Sequence, residues 1–510
     1  MAAALVFLAL VQLTRFPTLP DLDDRSPSRA LMATSGTRLG MATGQMLDMH
    51  SGLSGIVPID DGLDAFATRA LLANAADSSL DVQYYIWRAD LSGTMLAQAL
   101  VNAADRGVRV RLLLDDHVTA GLDPMLAAMD AHPKIEVRLF NPYRHRRFRY
   151  LGYLTEFGRL NRRMHNKSFI ADNQASIIGG RNVGDEYFSA GDAQGMSFAD
   201  LDVLTIGPVV SDVSRDFDRY WASESAYPVS ELLPAATPED VFQAAETARR
   251  RTRGAERDEY MQAVAGQELV ARLLEGTQAF DWSEITMLSD DPAKGLGRAA
   301  PGSHLWPQLR AAMGRAQREL GLVSAYFVPG ESGTDYLADL ARSGVKVSVL
   351  TNSLEATDVA AVHAGYARRR EALVEGGVEL WEMKRDATMP TGNGRRLGGS
   401  SSSSLHAKTV AVDRERVFVG SFNFDPRSAQ LNTELGFVIP SPMLAAGVTD
   451  IFSYQVPERA YRVMADSSGN LTWQAQSADS AILHTDEPGT GFWLRLGVGF
   501  MALLPIEWLL

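Results

Sequence analysis

The sequence predicts an α/β fold of two duplicated lobes, each a mixed, mostly parallel sheet flanked by helices, packed around one shared active site. Three observations carry that expectation. Short β-branched runs alternate with helical stretches, the same strand–helix order occurs twice in the chain, and a His–Lys–Asp device follows each occurrence. At 510 residues the chain is also too long for one ordinary domain.

The first copy begins with the strand LDVQYYIW (Leu80–Trp87), followed by Ser92–Thr94 and a helical stretch. GVRVRLLLDD from Gly107 and IEVRLF (Ile135–Phe140) supply its second and third strands. The second copy reads LGLVSAYFV (Leu320–Val328), then Ser332–Thr334, a helical stretch, GVKVSVLTN from Gly344 and VELWEM (Val378–Met383). Glycine marks the helix ends in both. The copies stay in register at a spacing of about 240 residues. This divides the chain into an apolar leader (1–55), a first lobe (56–235), a helical linker (236–279), a second lobe (280–455) and a C-terminal extension (456–510). In the linker, ARRRTRGAERDE reads as a solvated helix face.

Composition removes several classes of function. There is no cysteine, so disulfides, thiolate nucleophiles and Cys-based metal sites are excluded. A net charge of −13 argues against binding nucleic acid by phosphate neutralisation. Met1–Leu13 is apolar but shorter than the ~20 residues of a spanning helix, and reads either as a weak anchor or as an irrelevant leader. Gly491–Leu510 carries Trp493, Arg495, Glu507 and Trp508, which suits a membrane-interfacial segment or a helix docked on the core. The Gly/Ser-rich stretch Thr391–Ser404 is either a lip over the site or a plain loop.

Lysine is scarce, with only Lys134, Lys167, Lys294, Lys346, Lys384 and Lys408, and two of these stand two residues after a histidine. The first motif is His165, Lys167 and Asp172, followed by Gly179, Gly180 and Asn182. The second is His406, Lys408 and Asp413, followed by Gly420, Ser421 and Asn423. The His-to-Asn spacing is identical in the two. Residues two apart share a face of a strand, so each His–Lys pair points one way. Phosphodiester transfer without a metal needs a nucleophile, a proton donor for the leaving oxygen and fixed positive charge on the non-bridging oxygens. Two facing His–Lys pairs supply all three. Asn182 and Asn423 add amide donors, and the glycine turns let backbone approach a phosphate closely. Beyond the motifs no cluster has metal-ligand spacing, so neither a metal nor a cofactor is expected.

These paired motifs resemble those of the phospholipase D superfamily, in which a phosphohistidine forms without a metal. The segments DVQYYIW, LGYLTEFGRLNRRMHNKSFIAD, GGRNVGDEYF, DVAAVHAGYARRR, GSFNFDPRSAQLNTELG and LPIEWLL resemble the bacterial cardiolipin synthase C family closely, from about Gly62 to the C-terminus. The resemblance implies that His165 is the nucleophile and His406 the general acid. It also implies that Asp172 and Asp413 brace structure, and that Asp200 (or Asp202) and Glu434 orient the histidines. Tyr84, Tyr85 and Tyr326 either flank the pocket or belong to the core. The implied activity is a phosphatidyltransferase making cardiolipin from phosphatidylglycerol and a second phospholipid, phosphatidylglycerol or phosphatidylethanolamine, at the bacterial inner membrane. An accessory protein stays open. A hydrolase releasing phosphatidic acid shares the same site, and a nuclease of the superfamily is the remaining alternative.

Overall fold

A computed structural model describes residues 18–23, 25–190, 196–385, 402–476 and 481–510. The candidate anchor Met1–Leu13 and residues 391–401 of the candidate lip lie outside them. The first lobe contributes β1 (Ser54–Ile59), β2 (Ser79–Tyr84), β3 (Arg109–Asp115), β4 (Ile135–Phe140), β5 (Ser168–Ala171), β6 (Ala175–Gly179), β7 (Met196–Ala199), β8 (Asp202–Ile206), β9 (Ala226–Pro228) and β10 (Asp281–Ser283). All but β7 form one nine-stranded sheet in the order β10-β1-β8-β6-β5-β2-β3-β4-β9.

The second lobe contributes β11 (Thr286–Ser289), β12 (Glu319–Ser324), β13 (Lys346–Asn352), β14 (Glu379–Met383), β15 (Ser402–Leu405), β16 (Lys408–Val412), β17 (Arg416–Gly420), β18 (Leu435–Ile439), β19 (Ala460–Ala465), β20 (Leu471–Gln476) and β21 (Ala481–His484). Its ten-stranded sheet runs β11-β18-β17-β16-β12-β13-β14-β19-β20-β21, while β15 pairs in parallel with β7 of the first lobe.

Both sheets are mixed, but the expectation that they are mostly parallel is corrected. Only β2–β3–β4 and β12–β13–β14 pair in parallel, joined by the helical crossovers read from the sequence. The hairpins that carry the motifs, β5–β6 and β16–β17, and the edge strands beyond them pair antiparallel. Short turns force that direction, since a parallel pair needs a crossover of a dozen or more residues.

The domain edges shift as well. Helix Arg38–Met49, placed in the leader, packs Leu39, Met46 and Leu47 on the first core. Strand β10, assigned to the second lobe, pairs with β1 of the first. Strands β19 to β21, assigned to an extension, complete the second sheet. Between the lobes lie helices Pro238–Arg251, Ala255–Ala265 and Glu268–Glu275. The first of these buries nothing, while Tyr260, Val264 and Leu269 of the other two enter the first core. One apolar cluster spans both lobes, packing Ile170, Ile178 and Val203 with Ala411, Val417, Val419 and Phe437. Burial of this kind stabilises by roughly 25 cal/mol per Å² and fixes the two sheets against each other.

Candidate active site

His165 and His406 sit just ahead of β5 and β16, and each is stitched to the opposite lobe. His165 N donates to Thr433 O at 2.9 Å, and Thr433 N returns a bond to Arg163 O at 2.9 Å. His406 N donates to Ala199 O at 2.8 Å. The residues that follow Thr433 and Ala199 are Glu434 and Asp200. Their carboxylates therefore arrive beside the histidine of the other lobe.

The result is a crossed brace. His165 Nδ1 lies 2.8 Å from Glu434 Oε2 and 3.1 Å from Ser421 O. His406 Nδ1 lies 2.7 Å from Asp200 Oδ2. The two partners of His165 Nδ1 are acceptors, so that nitrogen carries the proton and Nε2 keeps the lone pair. The sequence left Asp200 and Asp202 as alternatives, and only Asp200 meets a histidine. Asp202 turns to the Arg69 guanidinium, 2.8 Å away in the core.

At equivalent motif positions the lobes differ. A Cβ on Gly180 would lie 2.1 Å from Asp200 Oδ1, so this glycine makes room for the carboxylate; the expectation that it serves a phosphate is corrected. Its counterpart Ser421 instead donates its hydroxyl to Glu434 Oε2 at 2.5 Å, and Ser428 donates to Oε1 at 2.8 Å.

Electrostatics separate the two acids. Burial pushes Glu434 up to about 7 against the Lys167 charge and the two serine hydroxyls. Asp200 feels the same burial. The hydrogen bond from His406, with the charges of His406, Lys408 and Arg181, outweighs it and holds the acid at about 2. Burial, then the charges of Lys167 and Lys408, press His165 well below the ordinary histidine value. Burial and Lys408 bring His406 to about 4. Both lysines are lowered, chiefly by burial. Lysines from both lobes thus act on one histidine. A bound anion would oppose the lowering of the two histidines and the two lysines by favouring their charged forms.

His165, His406, Asn182 and Asn423 line one cleft of about 950 Å³. Lys167 and Lys408 sit behind the histidines, each donating Nζ to the carbonyl of its own motif histidine. Asn182 Oδ1 accepts from Ile86 N at 3.2 Å, which ties this asparagine to the wall. Asp172 and Asp413 do not line the cleft. Asp172 accepts from the backbone N–H of Asp77, Ser78 and Ser79 at 2.9, 2.7 and 2.8 Å. Asp413 accepts from those of Gln317, Arg318 and Glu319 at 2.9, 2.7 and 3.0 Å.

Of the three tyrosines, Tyr84 is core, bonded to Arg69, whereas Tyr85 and Tyr326 line the cleft. Tyr85 sets its ring edge-on to His165 at 5.0 Å. Sequence reasoning missed Tyr187, which does the same for His406 at 5.1 Å. It also missed Arg427 and Ser428, and took Ser421 for part of a turn without its bond to Glu434. The shared motif spacing was the one signal that pointed at Ser421, as the counterpart of Gly180.

Two α/β lobes closing on one paired His–Lys site define a phospholipase D-type protein. A family model described as cardiolipin synthase, PLD-like domain, matches residues 69–221 and 309–456. The chain is 46% identical over 474 residues to cardiolipin synthase C of Escherichia coli K12, covering 93% of this chain and 100% of that protein. It is 32% identical over 482 residues to an uncharacterized protein of Helicobacter pylori 26695, covering 92% of each. Among solved structures, phosphatidylserine synthase of Haemophilus influenzae Rd KW20 superposes with a TM-score of 0.55 at 12% identity, covering 82% of this chain and 91% of that one, a likeness of fold. The chain belongs to the cardiolipin synthase family of phospholipase D-like proteins.

Proposed function

We propose that the protein is a phosphatidyltransferase that makes cardiolipin from phosphatidylglycerol and a second phospholipid, either phosphatidylglycerol or phosphatidylethanolamine. The observation that carries this reading is the crossed brace, which sets one histidine from each lobe in a single cleft with its Nδ1 held by a carboxylate. His165 Nε2 attacks phosphorus, and a P–N bond forms as the bond to the leaving headgroup oxygen breaks, that of glycerol when phosphatidylglycerol is the donor and that of ethanolamine when phosphatidylethanolamine is. His406, protonated once the phosphate anion is bound, gives its proton to that oxygen. Lys167 and Lys408 supply positive charge from behind the histidines, and Asn182 and Asn423, which line the cleft, donate to the non-bridging oxygens. The lipid hydroxyl then attacks phosphorus, returns its proton to His406 and releases His165.

The membrane surface is the second part of the reading. None of the described helices is long and apolar enough to cross a membrane. Helix Phe492–Leu503 packs Val498 against Leu354 and Ala364, while Trp493 is 79% and Leu503 81% exposed. A second apolar tip, with Tyr150 84% and Leu154 81% exposed, precedes Asn161. The Arg427 guanidinium joins the two segments at the cleft, donating to Asn161 O at 3.1 Å and Leu509 O at 3.0 Å. Exposed aromatic and leucine side chains on segments tied to the cleft through Arg427 suit peripheral seating in a bilayer interface.

Product analysis tests the reading. In detergent micelles, phosphatidylglycerol alone or mixed with phosphatidylethanolamine should yield more cardiolipin than phosphatidic acid. Phosphatidic acid as the sole product in both mixtures, with any partner protein supplied, would assign a hydrolase.

A further inference from the structure

We infer that Ile506–Leu510 is a wall of the active-site cleft that shields the phosphohistidine from water and so sets the balance between transfer and hydrolysis. The inference rests on the phosphatidyltransferase reading above. Leu509 and Leu510 line the same cleft as His165 and His406. Many of the other lining residues carry charge, including Arg88, Asp90, Asp185 and Asp358, whereas the leucines, Val359 and Val362 give the cleft apolar surface suited to a lipid's glycerol and acyl chains.

The segment is held at three places. Arg427 N donates to Leu510 O at 2.8 Å and Arg427 Nε to Leu509 O at 3.0 Å. Glu507 pairs with Arg369 at 3.1 Å. The Leu510 side chain, 9% exposed, fills the space over Gly365, where a Cβ would meet Leu510 Cδ1 at 2.7 Å and Val328 Cγ1 at 3.0 Å. Helix Pro426–Gln430, which supplies Arg427, also supplies Ser428, whose hydroxyl bonds the Glu434 carboxylate beside His165. The wall and the brace of the nucleophile therefore share one short helix.

Once a phosphatidyl group sits on His165, a lipid hydroxyl and water compete to attack phosphorus. In either case the P–N bond breaks and the attacking O–H gives its proton to His406. Water is in large excess, so the lipid prevails only when held in place, where effective molarities of roughly 10^5 M or more apply, and when water is kept out. An apolar wall does both.

The test measures cardiolipin and phosphatidic acid from phosphatidylglycerol for the wild type and for Leu510→Ala, Gly365→Ala, Glu507→Gln and the Gly365→Ala/Leu510→Ala double variant. Each single variant should raise the phosphatidic acid share roughly threefold or more, because one wall is loosened while the oriented nucleophile stays. The double variant, in which the added methyl takes space the leucine gives up, should return towards the wild-type ratio. Thermal melting identifies any variant that fails to fold, and Glu507→Gln, which touches no core packing, keeps the test decisive. Lower total turnover at an unchanged product ratio in the folded variants would overturn the inference. A wild type that makes no cardiolipin would overturn the reading it rests on instead.

Discussion

The two bracing acids differ by burial and partners, and the difference reaches the pH profile. In the proposed mechanism His165 acts as nucleophile only while Glu434 is ionised and accepts from Nδ1–H; a protonated Glu434 would donate instead and move the lone pair off Nε2. Glu434 stands at about 7, so formation of the intermediate should fall as pH drops through 7. Asp200 at about 2 stays ionised across that range and adds no limb. Glu434→Gln should slow intermediate formation roughly 10²–10⁴-fold and remove the acid limb, whereas Asp200→Asn should slow turnover and keep it. Stopped-flow pH profiles check this, and an unchanged limb in Glu434→Gln would contradict it. Every proton and charge in the scheme belongs to a side chain, so EDTA should leave the rate unchanged; loss restored by a divalent ion would count against the scheme. The motif residues were legible because two copies share one spacing. The pairing of His165 with Glu434 was not, since it joins residues 269 apart and depends on how two lobes meet.

Elements set the histidines where they stand. Asp172 and Asp413 each gather three backbone N–H donors at the start of β2 and β12, the strands against which the motif strands pair. Hydrogen bonds to a charged group are worth roughly 1.5–3 kcal/mol each when the partner is lost. Asp172→Ala should therefore cost about 3 kcal/mol or more in urea unfolding, and Asp413→Ala less, because Asp413 is the more exposed. Both variants should keep intermediate formation per folded molecule within about an order of magnitude, far from the loss expected for a group acting on the substrate. At the C-terminal helix, replacing Trp493, Phe500 and Leu503 together by serine should weaken binding to phosphatidylglycerol vesicles roughly tenfold or more, even if only a third of the ~1.5–3 kcal/mol for each fully buried side chain is realised at the interface. Unchanged co-sedimentation would remove that helix from the interface. The sequence held both readings of this segment open because a short apolar helix that packs Val498, Met501 and Ala502 and exposes its other apolar side chains satisfies each.

At the scale of the whole molecule, duplication was legible and sheet direction was not. The strand–helix–strand period predicts the three parallel strands of each lobe, and those are present. The hairpins and edge strands that make both sheets mainly antiparallel carry only short turn signals. The joining of β10 to the first sheet and of β19–β21 to the second is a tertiary choice that no local pattern records. What the duplication achieves is a single cleft in which each lobe supplies one histidine and the acid for the other. We propose that this cleft works through a covalent adduct on His165, with His406 as the acid. The most direct measurement is mass spectrometry of alkali-quenched His406→Ala and His165→Ala variants after mixing with a phosphatidyl ester that carries an activated leaving group. A phosphatidyl adduct on the peptide containing His165 in the His406→Ala variant, and none in His165→Ala, is the expected result. The opposite pattern, or no adduct in either while the wild type still consumes phosphatidylglycerol, would contradict it.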